Sequence, residues 1–218
     1  MVSENKANRA YKELRNDILS GRFVPGYRIV ISDLSRNSDI SASPWREAIM
    51  RLQAEGWLEV TPNVGARVVE PGLNAHRQTI ELLARLEGLA TILAIPNLTD
   101  ADLQALHSID SKMMENLNVR LDAEFTRLNR EFHEIFYARC NFDRLKEAIR
   151  GEIERLDFIK KNVQFDWDER MERKPRSVEE HEHLLTLIES QASSVEIEDY
   201  ARLHKLNALA FRHHMQKD

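Results

Sequence analysis

Between Ser41 and Val69 the chain carries a helix start, a helix stop and a hairpin with almost no residues to spare. Ser43 before Pro44 predicts a helix start, with Ser43 as N-cap and Pro44 at the first helical position, where a missing N–H costs little. The helix is expected to reach Glu55 and stop at Gly56. Trp57–Val60 and Ala66–Val69 are short β-type runs around Thr61-Pro62-Asn63-Val64-Gly65, two strands and their turn. Upstream, Ala10, Tyr11, Leu14, Ile18 and Leu19 recur at a helical period over residues 8–20, and Gly21 ends that helix. After a turn at residues 22–26, Ser32 reads as the N-cap of a short helix running to about Asn37. Three helices and then a hairpin is the order of a winged helix-turn-helix. Pro71-Gly72 is its natural end, so the first domain is expected to occupy residues 1–71.

Everything after that boundary reads as helix. The expected segments are residues 76–95, 99–116, 122–139, 142–161, 178–190 and 196–215, with a long polar connection over residues 162–176. Thr99 with Asp102 three residues on predicts a capping box. The fold class is therefore mainly α: an N-terminal winged helix-turn-helix with a small β-hairpin, then an antiparallel all-α bundle of about six helices over residues 76–215.

No stretch approaches the roughly 18 apolar residues that a membrane span needs, and the first ten residues lack the apolar segment of a secretory signal. The single cysteine, Cys140, excludes an internal disulfide and fits a reducing compartment. The expected location is cytoplasmic, with no membrane partner. A net charge of −5 argues against nucleic acid until the chain is divided. Residues 1–71 hold 10 Lys/Arg against 9 Asp/Glu, so the acidity resides in the bundle. Cations on one face of the first domain would still make a DNA surface.

A helix-turn-helix reads double-stranded DNA with the N-terminal end of its second helix, which enters the major groove. The residues expected there are Ser41, Ser43, Trp45 and Arg46, with Ala42 among them. Arg46 can take a guanine edge or a phosphate with two parallel hydrogen bonds. Arg36, at the end of the preceding helix, is positioned for the backbone, and Asn63, Gly65 and Arg67 form or flank the wing. Singly, each residue fits an ordinary helix start or a solvated arginine. Turn, capped helix, glycine stop and glycine-containing hairpin in one run favour DNA.

This stretch resembles the GntR family of bacterial regulators, in the branch typified by the fatty-acid regulator FadR and at a size similar to VanR-type members. The matching residues are Ala10-Tyr11, Leu14-Arg15, Ile18-Leu19-Ser20-Gly21 and Pro25-Gly26, then Ser41 through Ala48, Leu52, Glu55 through Leu58, and Pro62 through Val68. Two positions depart from the family pattern: Ala42 stands where Arg is common, and Val64 where the wing often has Arg or His.

Further on, Asn129 and His133 lie at i and i+4, on one helix face. His181 shares an apolar stripe with Leu184, Leu185 and Ile188, and His204 shares one with Ile197, Tyr200, Ala201, Ala208 and Phe211. Three histidines and an amide oxygen on three bundle helices could converge on one divalent ion, and such a donor set suits Zn2+ or Ni2+. The residues alone leave hydrogen-bonded core histidines equally open. The same stretch resembles the FCD domain of FadR-branch regulators, whose pattern of Asp or Asn, three residues, His, then a His in each of the last two helices is matched by Asn129, His133, His181 and His204. The resemblance implies a metal site with these ligands, a small organic acid as effector whose carboxylate completes the metal sphere, a homodimer, and an inverted-repeat operator. Asn129 replaces the commoner Asp, and Leu83 stands where relatives often carry an Arg for the carboxylate.

His76, His107, His183, His213 and His214 fall outside the pattern and read as surface or structural residues. No GxGxxG, P-loop, nucleophile elbow or HExxH occurs, and Cys140 has no catalytic companions. The expected function is a DNA-binding transcriptional regulator, not an enzyme, with operator affinity controlled by a small-molecule effector in a metal-containing helical bundle. The alternatives are a metal-dependent enzyme with an accessory DNA-binding domain, and a constitutive DNA binder without ligand.

Overall fold

The computed structural model describes residues 5–62, 64–117, 123–163 and 167–210. The chain divides into two compact units, Met1–Leu73 with Phe158–Val163, and Asn74–Asp157 with Gln164–Asp218.

In the first unit, α1 (Lys6–Ser20) starts at Asn5, whose Oδ1 accepts from the Ala7 N–H at 3.0 Å. It ends at Gly21 with φ 85°, a left-handed cap that glycine takes without strain. Helix α2 spans Ile31–Arg36, two residues ahead of expectation, with Val30 rather than Ser32 at its N-cap. Helix α3 spans Ala42–Ala54. Its N-cap is Ser41, not Ser43, which makes Pro44 the third helical residue. Proline fits there because the first four helical N–H groups have no intrahelical acceptor.

Ala10, Leu14 and Ile18 of α1 share a core with Trp45, Ala48, Ile49 and Leu52 of α3. A polar clasp runs beside it: Arg51 lies 4.0 Å over the Tyr11 ring and donates to Asn8 Oδ1 at 2.8 Å, while the Tyr11 hydroxyl donates to Glu55 Oε2 at 2.8 Å. The expected hairpin forms as β2 (Leu58–Thr61) and β3 (Gly65–Val68). A two-residue strand β1 (Arg28–Ile29), too short to show a period, pairs antiparallel with β3 on its other side, giving the order β1-β3-β2. Ala66 and Val68 of β3 point into the core, and Gly65 and Arg67 point out.

The second unit is built on α4 (Leu73–Ala94), α5 (Asp100–Glu115), α6 (Ala123–Arg139), α7 (Asp143–Asn162), α8 (Trp167–Glu189) and α9 (Ser194–Ala210), with a 3-10 turn at Ile95–Asn97. The capping box of α5 closes in both directions: Thr99 Oγ1 accepts from the Asp102 N–H at 3.2 Å, and Asp102 Oδ2 accepts from the Thr99 N–H at 2.8 Å. Helix α8 corrects the expected polar connection, since it already runs from Trp167. The stretch before Val178 has no apolar period and contains Pro175, which reads as a breaker. Yet its Asp, Glu, Arg and Met content is mostly that of good helix formers, and Pro175 removes only one rung. His213 and His214 lie outside the described residues.

Ile80, Leu83, Leu106, Phe132, Phe136, Ile149, Leu184, Leu185 and Ile197 belong to one apolar cluster drawn from all six helices. Polar groups are buried in the same unit: Glu87, Asp110, His133, Ser177, His181 and His204.

Candidate metal centre and nucleic-acid interface

His133 on α6, His181 on α8 and His204 on α9 meet inside the bundle, 8%, 0% and 5% exposed. One ring nitrogen from each lies within 4.8 Å of those of the others. The Nε2 atoms of His133 and His204 are 3.3 Å apart. Two nitrogens bound tetrahedrally to one zinc at about 2.0–2.1 Å stand at about that separation. The rings are held from outside. His181 Nδ1 faces Asp110 Oδ1 at 3.2 Å, and His204 Nδ1 faces Glu180 Oε2 at 2.7 Å. An ionised carboxylate only accepts, so each Nδ1 is the donor and each Nε2 keeps its lone pair. Phe132 stacks on His181 with ring centroids 3.9 Å apart, which fixes that ring's plane. Glu180 is itself anchored by Arg173 and by Asn207 Nδ2, the latter at 2.7 Å.

His181 Nε2 is buried and has no hydrogen-bond partner. A neutral imidazole nitrogen in that position is costly unless something electrophilic meets it. Burial pulls His133 and His204 well below the ordinary histidine range, with neighbouring histidines and Lys205 adding to the effect. Burial also lowers His181, against the opposing pull of Asp110. Three buried rings with converging nitrogens, two of them held by a carboxylate on the opposite nitrogen, are a donor set that a divalent transition metal takes, so these residues fit such an ion.

Asn129 stands one turn before His133, and Ser177 one turn before His181; the Ser177 hydroxyl donates to Asn129 Oδ1 at 3.4 Å. Among the other histidines, His107 is exposed and bonds Glu189 at 2.9 Å, and His183 is exposed beside the Tyr200 ring. His76 is buried but is not part of the three-histidine group. Cys140 is buried, its Sγ donating to the Tyr137 carbonyl at 3.4 Å.

In the winged helix, Arg36, Ser41, Ser43, Arg46, Gly65 and Arg67 are all exposed. Ser41 makes no side-chain cap bond, so the first N–H groups of α3 are available to an anion. Trp45 is the correction: it is 1% exposed and sits in the core, so it anchors α3 and offers DNA nothing. The apolar face of α3 recurs at 45, 48, 49 and 52, and that period marked Trp45 as core. Arg36 pairs loosely with Asp33 at 3.3 Å, and Arg67 Nη1 donates to the Gly26 carbonyl at 3.1 Å. Asn63 lies outside the described residues.

Sequence reasoning missed Arg28. It is exposed, stands directly across from Arg67 in the β1–β3 register, and lines with Arg46 a groove of about 500 Å³ between α3 and the wing. Two cations opposite one another across a sheet repel, which suits a surface that meets phosphates. Only the pairing of β1 exposes this, and two residues carry no local signal for it.

Residues 6–68 match the model of the bacterial regulatory proteins of the gntR family, and residues 78–195 match the FCD domain. The Nta operon transcriptional regulator of Aminobacter aminovorans is 32% identical over 172 residues, 78% of this chain and 77% of that protein. The transcriptional regulator McbR of Escherichia coli K12 is 29% identical over 137 residues, covering 63% of this chain and 62% of McbR. The solved structure of E. coli McbR/YncC superposes with a TM-score of 0.62 over 96% of this chain and 97% of that one, at 23% identity. The relatives are named as transcriptional regulators and not as enzymes. No helix among the described residues is long and apolar enough to cross a membrane. With both its winged helix and its helical bundle matched, the chain belongs to the GntR family of bacterial transcriptional regulators, with a C-terminal FCD ligand-binding domain.

Proposed function

We propose that this regulator is a homodimer acting in the cytoplasm on an inverted-repeat operator, and that a divalent ion on His133, His181 and His204 binds a small acid that sets its DNA affinity. The observation that carries the reading is the convergence of three buried histidines, with His181 Nε2 unpartnered, His204 Nε2 3.3 Å from His133 Nε2, and a carboxylate on the opposite nitrogen of both His181 and His204. Asn129 is the proposed oxygen donor, and Zn2+ or Ni2+ suits three imidazoles with one neutral oxygen. When bound, the ion supplies Lewis acidity and charge to an anionic ligand; the chain supplies the orientation of the rings and the exclusion of water. Three imidazole nitrogens bring no charge of their own to the ion, which favours an acid as the exogenous ligand. Regulation requires that this acid bind one state of the dimer more tightly than the other.

On the DNA side, Arg46 is proposed to read a base, with Ser41, Ser43 and the α3 N-terminus gripping a phosphate. Arg28, Arg36 and Arg67 are proposed to contact the backbone, with Gly65 in the wing. Selection of bound sequences from a random DNA pool is expected to return two half-sites in inverted order. Arg46→Ala is expected to lose about 1–3 kcal/mol, confined to one position of each half-site. Retained preference with a salt slope smaller by about one would make Arg46 a phosphate contact. Unchanged affinity and preference would remove it from the interface.

A further inference from the structure

The three histidines use Asp110 and Glu180 as their outer partners, which leaves one buried carboxylate unexplained. Glu87, in the middle of α4, is 2% exposed. Its Oε1 lies 2.7 Å from Lys205 Nζ, and the carboxylate is also the hydrogen-bond partner of the Tyr137 hydroxyl. A buried ion pair with so few surrounding hydrogen bonds is incompletely compensated for the water it has lost. Replacement by apolar groups would cost a purely structural pair little, so this pair has an explanation to find.

Its surroundings point to the ion site. Lys205 directly follows His204 in α9. Tyr137, one turn after His133 on α6, stacks its ring nearly parallel to the His133 ring at 6.5 Å. Burial and then the Glu87 carboxylate push its hydroxyl well above the ordinary range, so it stays a neutral donor. Helix α9 also rests on the backbone of α4 next to Glu87: a Cβ built on Gly88 would stand 3.1 Å from the Glu198 carbonyl oxygen. Lys205 is therefore a cation next to His204 in sequence and paired with an internal carboxylate, on the face where α4 and α9 touch.

We propose that Glu87 is a resident stand-in for the acidic group of the effector. Without ligand it neutralises Lys205; a small organic acid bound at the ion takes over Lys205 with its carboxylate, and Glu87 is released. This rests on the reading of the histidines as a metal site. It identifies Lys205 as the cation that recognises the acid. It also gives the ligand a route to the DNA-binding part, because Glu87 sits on the first helix after the winged helix in the chain. The ligand then has a differential contact with two states of α4, as linkage demands.

The test uses full-length protein loaded with cobalt(II), whose visible absorption reports both histidine ligation and the arrival of an anion. Acetate is the probe, small enough to reach any carboxylate position at the ion. Glu87→Gln is expected to tighten acetate about tenfold, and Lys205→Met to weaken it about tenfold, within the ordinary range of coupling between sites. In the double variant Glu87→Gln is expected to bring no gain, since there is no cation left to free. Lys205→Arg keeps the charge and the ion pair, and is expected to stay within about threefold of wild type. Equal acetate constants in all these proteins, with cobalt bound and its spectrum intact, would overturn the exchange while leaving the metal site standing. Failure of cobalt to bind the histidines would show itself before any acetate is added, and would overturn both.

Discussion

The two candidate sites of this chain handle charge in opposite ways. The DNA face keeps Arg28, Arg36, Arg46 and Arg67 in water, partly or loosely paired, on elements whose other faces are packed. The centre in the bundle buries its three imidazoles, which lowers their affinity for protons, and stations charged groups nearby on Asp110 and Glu180. Exposed cations cost little to maintain, and their attraction for a polyanion is screened by salt. Buried neutral rings are costly until an ion arrives, and they answer to protons rather than to salt. On the proposed reading, one site would be tuned by ionic strength and the other by pH and metal.

Trp45→Ala should break the comparison most sharply. Removing a fully buried indole is expected to cost about 3–5 kcal/mol. DNA affinity is expected to collapse while zinc stoichiometry stays at the wild-type value. A DNA loss with unchanged thermal stability would return Trp45 to the interface.

Acid should strike the other site. In the folded, metal-free protein the three histidines sit below their ordinary range, chiefly through burial. The unfolded chain protonates its histidines at about pH 6.5. Below that pH the unfolded state binds more protons than the folded one, so stability falls with falling pH. The limiting slope is about 1.4 kcal/mol per pH unit for each histidine that stays neutral. Urea midpoints of the metal-free protein measured from pH 7.5 down to 5 should show this fall, and His133→Ala should flatten it. A midpoint independent of pH over that range would mean the rings are already charged or solvated. The Arg46→Ala effect on DNA is expected to be smaller than either and to vary with salt, which the pH effect should not.

The sequence disclosed what is local. The capping box at Thr99 and Asp102, the glycine stop at Gly21 and the hairpin of β2 and β3 each depend on residues a few positions apart, and each formed as read. The stripes that put His181 and His204 on buried faces were legible for the same reason. Three kinds of information were not. Strand β1 has no period because it has only two residues. The early turns of α8 depend on helix propensity without amphipathic pattern, across Pro175. The outer partners of the histidines, Asp110 and Glu180, come from α5 and α8, and the Glu87–Lys205 pair joins α4 to α9. No spacing along the chain predicts a contact 118 residues apart. The assignment of Trp45 to DNA failed differently: its helical register with Ala48, Ile49 and Leu52 was on view, and the proximity of Ser43 and Arg46 outweighed it.

The central claim is that His133, His181 and His204 form one metal centre. Its most direct test is elemental analysis of purified wild type, His133→Ala, His181→Ala, His204→Ala and His183→Ala, with melting temperature read before and after chelation. The account predicts about one divalent ion per chain in wild type and in His183→Ala, and little in the other three. Chelation should lower the first two melting temperatures toward those of the triad variants, because an ion that binds only the folded state stabilises it by mass action. Equal metal content in all five proteins, or no response of wild type to the chelator, would contradict it.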